Sequence, residues 1–242
     1  MSLLQITGLE ARHGLLKAVR SIDLTLNEGE RLALVGANGS GKSTLLRTLA
    51  GIHPASAGRV VFEGRDVTGL AAHRRCALGI SLVPEGRRLF GSMSVADNLR
   101  VAQSAGRTGH WNLDTVVEAF PQLKAKLKAA AGSLSGGQQQ AVAIGRALMA
   151  NPRLLLLDEV SLGLSPAAVQ GVYDSLQALM ATRTTLILVE QDLQRTFEVA
   201  DRIVCLLEGT VVASGRTSDM TREEVMDHYF GHRTAKATGE DA

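Results

Sequence analysis

The chain has 242 residues, 45% hydrophobic and 21% charged, with a net charge of +2, enough for one large domain or two small ones around a sizeable core. So small a net charge argues against bulk electrostatic capture of nucleic acid and leaves only local basic patches, and the two cysteines, Cys76 and Cys205, are too few for a disulfide framework and lack metal-ligand spacing. No window approaches the roughly 18 consecutive apolar residues of a membrane span, and the opening "MSLLQITGLEARHG" lacks the apolar stretch of a signal peptide, so work at a membrane would run through a partner.

Two runs open the chain, "LLQITGLEA" and "AVRSIDLTLNEGE". The second alternates Ile22, Leu24 and Leu26 against polar neighbours, the pattern of a half-buried strand. "RLALVG" is a continuous apolar run bounded by glycine, as in a strand buried on both faces, and "KSTLLRTLAG" follows with helical spacing. A hairpin-like piece, "GRVVFEGRDVTG", and a short strand, "GISLVPEG", come next. From Phe90 to about Leu148 strand-like runs vanish, which predicts a helical lobe packed by Trp111 and Phe120, with a mobile stretch around "QSAGRTGH". "PRLLLLDE", "TTLILVEQD" and "RIVCLLEG" then restore short buried strands, one of them carrying Cys205. Strands alternating with helices imply a doubly wound α/β core. The last residues, 233–242, form a polar tail.

"GANGSGKST" carries the first chemistry. Gly36, Ala37, Asn38, Gly39, Ser40, Gly41, Lys42, Ser43 and Thr44 fit the pattern G-x-x-x-x-G-K-[ST] between a buried strand and a helix. Glycines let backbone N–H groups face phosphate oxygens, and the helix adds its positive end. Lys42 would reach the β- and γ-phosphates of a nucleoside triphosphate, and the Ser43 hydroxyl would ligate Mg²⁺. "LLLLDE" ends a buried strand in acid, at the sheet edge where such folds bind ligands. Asp158 is the candidate Mg²⁺ holder, and Glu159 the candidate base that polarises the attacking water. A second anion site is signalled by "LSGGQ", where Ser135, Gly136, Gly137 and Gln138 open a helix. One molecule already has a phosphate cradle, so a second suggests an anion shared between two molecules.

GANGSGKST, LSGGQ and LLLLDE, in that order, resemble the ATP-binding-cassette (ABC) ATPases. The resemblance spans one nucleotide-binding domain over 1–232, with the helical lobe at about 90–148. It implies a phosphate-loop ATPase with a RecA-like core, an antiparallel β subdomain and a helical subdomain. It also implies ATP and Mg²⁺ as ligands, and a head-to-tail dimer in which Ser135, Gly136, Gly137 and Gln138 cap the partner's ATP. "LVPEGRRLF", "DEVSLGLSP", "LVEQD" and "HYFG" are most similar to ATPase subunits of branched-chain amino acid uptake systems. That narrower likeness implies a peripheral subunit on the cytoplasmic face of the membrane. Its partners would be permease subunits, a second cassette or another copy, and indirectly an extracellular or periplasmic solute-binding protein, with no nucleic acid. Alternatives are a soluble ABC ATPase in iron–sulfur assembly or regulation, and the ATPase of a lipid exporter.

Several positions carry family roles or depart from the family pattern. His13 stands where the family stacks an aromatic on adenine. Glu85 replaces the usual glutamine of the loop that touches Mg²⁺ and reports to the permease; beside Asp158 and Glu159 its charge predicts poor binding of metal-free ATP. Gln191 replaces the histidine that contacts the γ-phosphate, and donates a hydrogen bond without titrating near neutral pH. Val160 replaces a proline and is expected to loosen Glu159. Ser165 replaces an aspartate that links paired sites. Arg87 and Arg88, which follow Glu85 after Gly86, could face phosphate, a permease or water, and permease contact is the favoured reading. His53, His73, His110, His228 and His232 have no metal-site spacing.

Overall fold

The computed structural model describes residues 2–103, 107–180 and 184–230. The polar tail at 233–242 and the centre of the "QSAGRTGH" stretch lie outside the described residues. The chain begins with two long antiparallel strands, β1 (Ser2–His13) and β2 (Leu16–Asn27). Burial alternates along β2, with Ile22, Leu24 and Leu26 inward, as the period-two pattern predicts. After β3 (Arg31–Val35) and helix α1 (Lys42–Leu49) come β4 (Ala57–Phe62) and β5 (Arg65–Asp66), paired as a hairpin. These build a four-stranded antiparallel sheet in the order β2-β1-β4-β5. Its inner face packs Leu4, Leu9, Leu26 and Phe62 against Leu45, Leu46 and Leu49 of α1.

A short helix, α2 (Ala72–Leu78), precedes β6 (Ile80–Val83). The helical lobe contains α3 (Val95–Arg100), α4 (Leu113–Ala119), 3-10 turns at Pro121–Lys126 and Ala131–Ser133, and α5 (Gly136–Leu148). Trp111 and Phe120 are buried there with Leu99, Val116 and Ile144. The remainder alternates β7 (Leu154–Asp158), α6 (Pro166–Met180), β8 (Thr185–Val189), α7 (Leu193–Val199) and β9 (Arg202–Leu207), then β10 (Thr210–Arg216) and α8 (Arg222–Phe230).

The second sheet has the order β10-β9-β3-β8-β7-β6, parallel except where β10 pairs antiparallel to β9. All residues of β7 and β8 are buried, which is why these strands read as unbroken apolar runs. Register decides where the chemistry can sit. Leu34 pairs with Val189, and Val189 with Asp158, so the carboxyl ends of β3, β8 and β7 lie side by side. The loops that leave these ends carry the phosphate-loop motif, the 190–192 segment and Glu159, and the loop after β6 carries Glu85.

One buried cation fixes the far end of α1. Arg75 of α2 is 2% exposed and donates to the carbonyl oxygens of Thr48 and Leu49 (2.8 Å each), Thr68 (2.8 Å) and Leu70 (3.0 Å). Two of these are carbonyls of the last turn of α1, which a cation complements. Burial pulls the Arg75 pKa below its ordinary value. Arg75→Ala should therefore cost about 3 kcal/mol in urea unfolding, because buried carbonyls lose charged donors. Arg75→Lys should recover less than half of that loss, since an ammonium cannot reproduce the fork; an alanine variant as stable as the parent would contradict this.

Candidate functional site: a phosphate loop facing buried acids

The phosphate loop is built by close backbone approach. Gly36 has φ 148°, and a Cβ there would lie 2.1 Å from the Leu206 carbonyl oxygen. Gly41 has φ 99°, and a Cβ there would lie 2.2 Å from the Ala18 carbonyl oxygen. Both motif glycines are thus required by left-handed backbone and by the strands pressed against the loop. Gly41 starts α1 without any side-chain cap, which leaves the first-turn N–H groups for a ligand. Lys42 is 4% exposed and donates to the Gly36 (2.6 Å) and Ala37 (3.0 Å) carbonyl oxygens across the loop. Its pKa is lowered by burial, against which Glu159 and then Asp158 pull upward.

Ser43 and Asp158, 115 residues apart in sequence, meet: the Ser43 hydroxyl donates to Asp158 Oδ1 at 2.7 Å. Asp158 has no exposed surface, and its other oxygen, Oδ2, makes no hydrogen bond. The closest positive charge to Oδ2 is Arg47 Nη2 at 3.8 Å, and the same nitrogen lies 3.9 Å from Glu85 Oε2. A buried carboxylate oxygen without a donor, a hydroxyl beside it and a further acid form an oxygen-rich donor set that suits a hard divalent cation such as Mg²⁺. Burial above all pushes the Asp158 carboxyl up; the Ser43 hydrogen bond and Arg47 oppose this, while Glu159 and Glu85 add to it.

Glu159 adopts φ 49°, a left-handed conformation that costs an ordinary residue roughly 1 kcal/mol. Its N–H donates to the Val189 carbonyl oxygen at 3.1 Å. Val160 is 2% exposed and packs into the helical-lobe core. Where the family carries proline, this chain has an apolar anchor beside Glu159 and a strand-end hydrogen bond from its N–H. The Gln191 amide donates to Asn38 Oδ1 at 3.3 Å, which brings the 190–192 segment onto the phosphate loop.

A cleft of about 230 Å³ is lined by Asn38, Gly39, Gly41, Lys42, Ser43, Thr44 and Glu159, and on its other side by His13, Leu16 and Ala18. The His13 ring shares a hydrogen bond with the Thr44 hydroxyl (3.1 Å) and lies 4.5 Å from the His53 ring. Sequence reasoning missed Leu16 and Ala18; Leu16, 63% exposed at the tip of the β1–β2 hairpin, offers apolar area to a flat ring. It missed Arg47 as well, although its place one helical turn after Ser43 was the available signal.

Ser135, Gly136, Gly137 and Gln138 do not line this cleft. Ser135 caps α5, and Gln138 bonds back to the Ser135 N–H at 3.2 Å in a capping box. Gly137 lets α5 approach α6, since a Cβ there would lie 2.8 Å from that of Ala168. The two arginines after Glu85 separate. Arg87 reaches Gln139 of α5 at 3.2 Å, whereas Arg88 lines a groove between α2, β6 and the helical lobe. Among the described residues no group of three or more His, Cys, Asp or Glu side chains forms a metal cluster, and no helix is long and apolar enough to cross a membrane.

Comparison with known proteins resolves what such a site belongs to. The sequence model of the ABC transporter family matches residues 19–161, more than half of the chain. This chain belongs to the ABC transporter family. It is an ABC ATPase that binds adenine nucleotide. It is 38% identical to the high-affinity branched-chain amino acid transport ATP-binding protein BraG of Pseudomonas aeruginosa, over 95% of this chain and all of the relative. It is 33% identical to a probable branched-chain amino acid transport ATP-binding protein, LivF, of Archaeoglobus fulgidus, over 92% of this chain and 95% of the relative. Among solved structures it resembles the ADP conformation of an ATP-binding cassette of an ABC transporter (TM-score 0.79, 27% identity, 94% of each chain). A nucleotide-free cassette is similar (TM-score 0.79, 28% identity, 96% of each chain).

The raised Asp158 pKa fixes a sign for this ABC ATPase. A carboxyl that holds its proton more tightly when folded adds nothing unfavourable below the ordinary carboxylate pKa of 3.8. Its cost grows as pH rises from there and is fully present above the raised value. Asp158→Asn should therefore raise the melting temperature of nucleotide-free protein at pH 7 while removing ATP turnover. A fall in melting temperature would contradict the assignment.

Proposed function

We propose that this ABC ATPase is the motor subunit of an importer for branched-chain or chemically related amino acids. Supporting this is the 38% identity to BraG along its whole length, together with the joint occurrence of Glu85 and Gln191 at one site. The likenesses to BraG, LivF and BraF favour this reading over the iron–sulfur assembly, regulatory and lipid-exporter alternatives.

The triphosphate is bound by the N–H groups of Gly36–Thr44 and by Lys42, which exchanges its loop carbonyls for phosphate oxygens. Adenine rests in the His13, Leu16 and Ala18 corner. Mg²⁺ would be held by Ser43 and Asp158 with Glu85 beside them, and when bound it supplies positive charge to the phosphate oxygens. Glu159 takes a proton from water as the water oxygen bonds to the γ-phosphorus and the bond to ADP breaks. Gln191 donates a hydrogen bond to the γ-phosphate.

Ser135, Gly136, Gly137 and Gln138, away from this chain's own cleft, serve the nucleotide of a head-to-tail partner: a second cassette or another copy. ATP buried between the two favours closure, and its loss reopens the pair. The groove of about 440 Å³ at the base of the helical lobe is lined by Ile52, Phe90 and Val101, all substantially exposed, and by Arg88. It suits a short helix from a permease subunit, and it adjoins the loop carrying Glu85. The whole assembly would lie on the cytoplasmic face of the membrane, with a solute-binding protein on the far side. The cassette extends over 1–232, followed by the polar tail.

Affinity purification of this chain from its own cell, after gentle solubilisation, should recover multi-span permease subunits and a second cassette. A soluble scaffold without membrane protein would overturn the importer reading. In a phosphate-release assay Gln191→Ala should lower turnover about 100-fold, as expected when a transition-state donor is removed. Gln191→His should stay within a fewfold of the parent; an alanine variant as active as the parent would refute the role.

A further inference from the structure

Behind Gln191 lies a charged group for which the reaction above has no use. Glu190 is 2% exposed. Its Oε2 accepts from the Ser161 hydroxyl at 2.8 Å and from the Gln191 N–H at 3.3 Å. Its Oε1 faces the buried Tyr173 hydroxyl of α6, which interacts with the carboxylate without reaching full hydrogen-bond geometry. Arg195 of α7 stacks over the Tyr173 ring at 4.9 Å, closing the pocket from the α7 side. A buried carboxylate is costly to keep, and two donors from one element would satisfy it as well as two from different loops. Here Tyr173 of α6 faces Oε1, and both donors to Oε2 come from the two loops that carry the chemistry.

The geometry points to Glu190 as a positioning residue that yokes the Gln191 segment to the loop after Glu159. Contacts run without a break from the phosphate loop to that loop: Asn38 to Gln191 (3.3 Å), Gln191 N–H to Glu190, Glu190 to Ser161. Ser161 stands two residues after Glu159, whose own N–H is tied to Val189, immediately before Glu190. Glu159 in its left-handed pose is thus held from both sides by one stretch, Val189–Glu190. The same 160–165 loop leads through Ser165 into α6, and Gly137 at the head of α5 packs on Ala168 of that helix. A shift of Gln191 when the γ-phosphate arrives or leaves would be transmitted through Glu190 to Ser161, and so to the surface that carries the Ser135–Gln138 cap. Neither Glu190 nor Ser161 touches nucleotide in this scheme; both act through Glu159 and Gln191. The inference rests on the assignment of those two residues as base and γ-phosphate contact.

The test is a double-mutant cycle on the full chain, read as kcat and, separately, as the Kd for ATP. Ser161→Ala removes one hydroxyl from a partly exposed position and leaves the fold intact by design. It should lower kcat about tenfold with Kd for ATP within twofold of the parent. Glu190→Ala should do the same, and the double variant should be no more than twofold slower than the slower single one. Glu190→Gln, which keeps an acceptor for the Ser161 hydroxyl, should retain kcat within threefold. If Glu190→Ala does not fold, the contrast between Ser161→Ala and Glu190→Gln decides by itself. The yoke is overturned if Ser161→Ala turns over like the parent, if the two losses multiply, or if Kd for ATP moves in step with kcat. Glu159→Gln serves as the separate control: turnover retained in that variant would overturn the assignment of the base, whatever Ser161 shows.

Discussion

Everything in this site depends on a carboxylate that the fold removes from water and then leaves half-satisfied. Asp158 has no exposed surface, one oxygen taken by Ser43 and the other without a hydrogen bond. In isolation such a group is a liability, because desolvating an ionised carboxylate costs more than one neutral donor returns. On the proposed function the arrangement is one half of a complex, to be completed by a cation and the phosphates that come with it. The phosphate loop is the other half: unpaired N–H groups and a lysine folded onto its own backbone. Each half lowers the cost of the other, so nucleotide and cation are expected to bind as one unit.

The parallel sheet turns this local electrostatics into a mechanism. The ends of β3, β8 and β7 are in register, so three loops distant in sequence converge within a few ångströms without any dedicated scaffold. β7 and β8 are buried on both faces, so the edge from which these loops leave is anchored in the core. The helical lobe hangs from this edge through the loop after β6: Glu85 faces Arg47, Arg87 reaches α5, and the Arg87 carbonyl oxygen accepts from Arg146 at 3.1 Å. A path of contacts thus runs from the acids to the lobe that carries Ser135–Gln138 and the apolar groove.

How legible all this is in the sequence follows from range. The phosphate loop, the apolar strands around it and the capped α5 are written in contiguous residues, because each is dictated by local backbone needs and burial. Asp158 is legible as the polar end of an apolar run. By contrast, α2 has a single fully buried residue, the charged Arg75, and β10 has none, so neither shows a clear apolar period. Sequence reasoning does not single out Arg75, Arg47 or Glu190; only the fold shows Arg75 and Glu190 buried and Arg47 between two acids. At Val160 the φ restriction lost with proline is visible in sequence, whereas the burial of its side chain is not.

The most direct test of the account is calorimetric titration of the purified chain with ATP, in Mg²⁺ and again in excess chelator. If the buried carboxylate and its acidic neighbours are completed by a cation, ATP should bind at least tenfold more tightly with Mg²⁺ than without. Equal affinity under the two conditions would mean that Asp158 and Glu85 do not face the phosphates through a metal, and the electrostatic account of this site would fall.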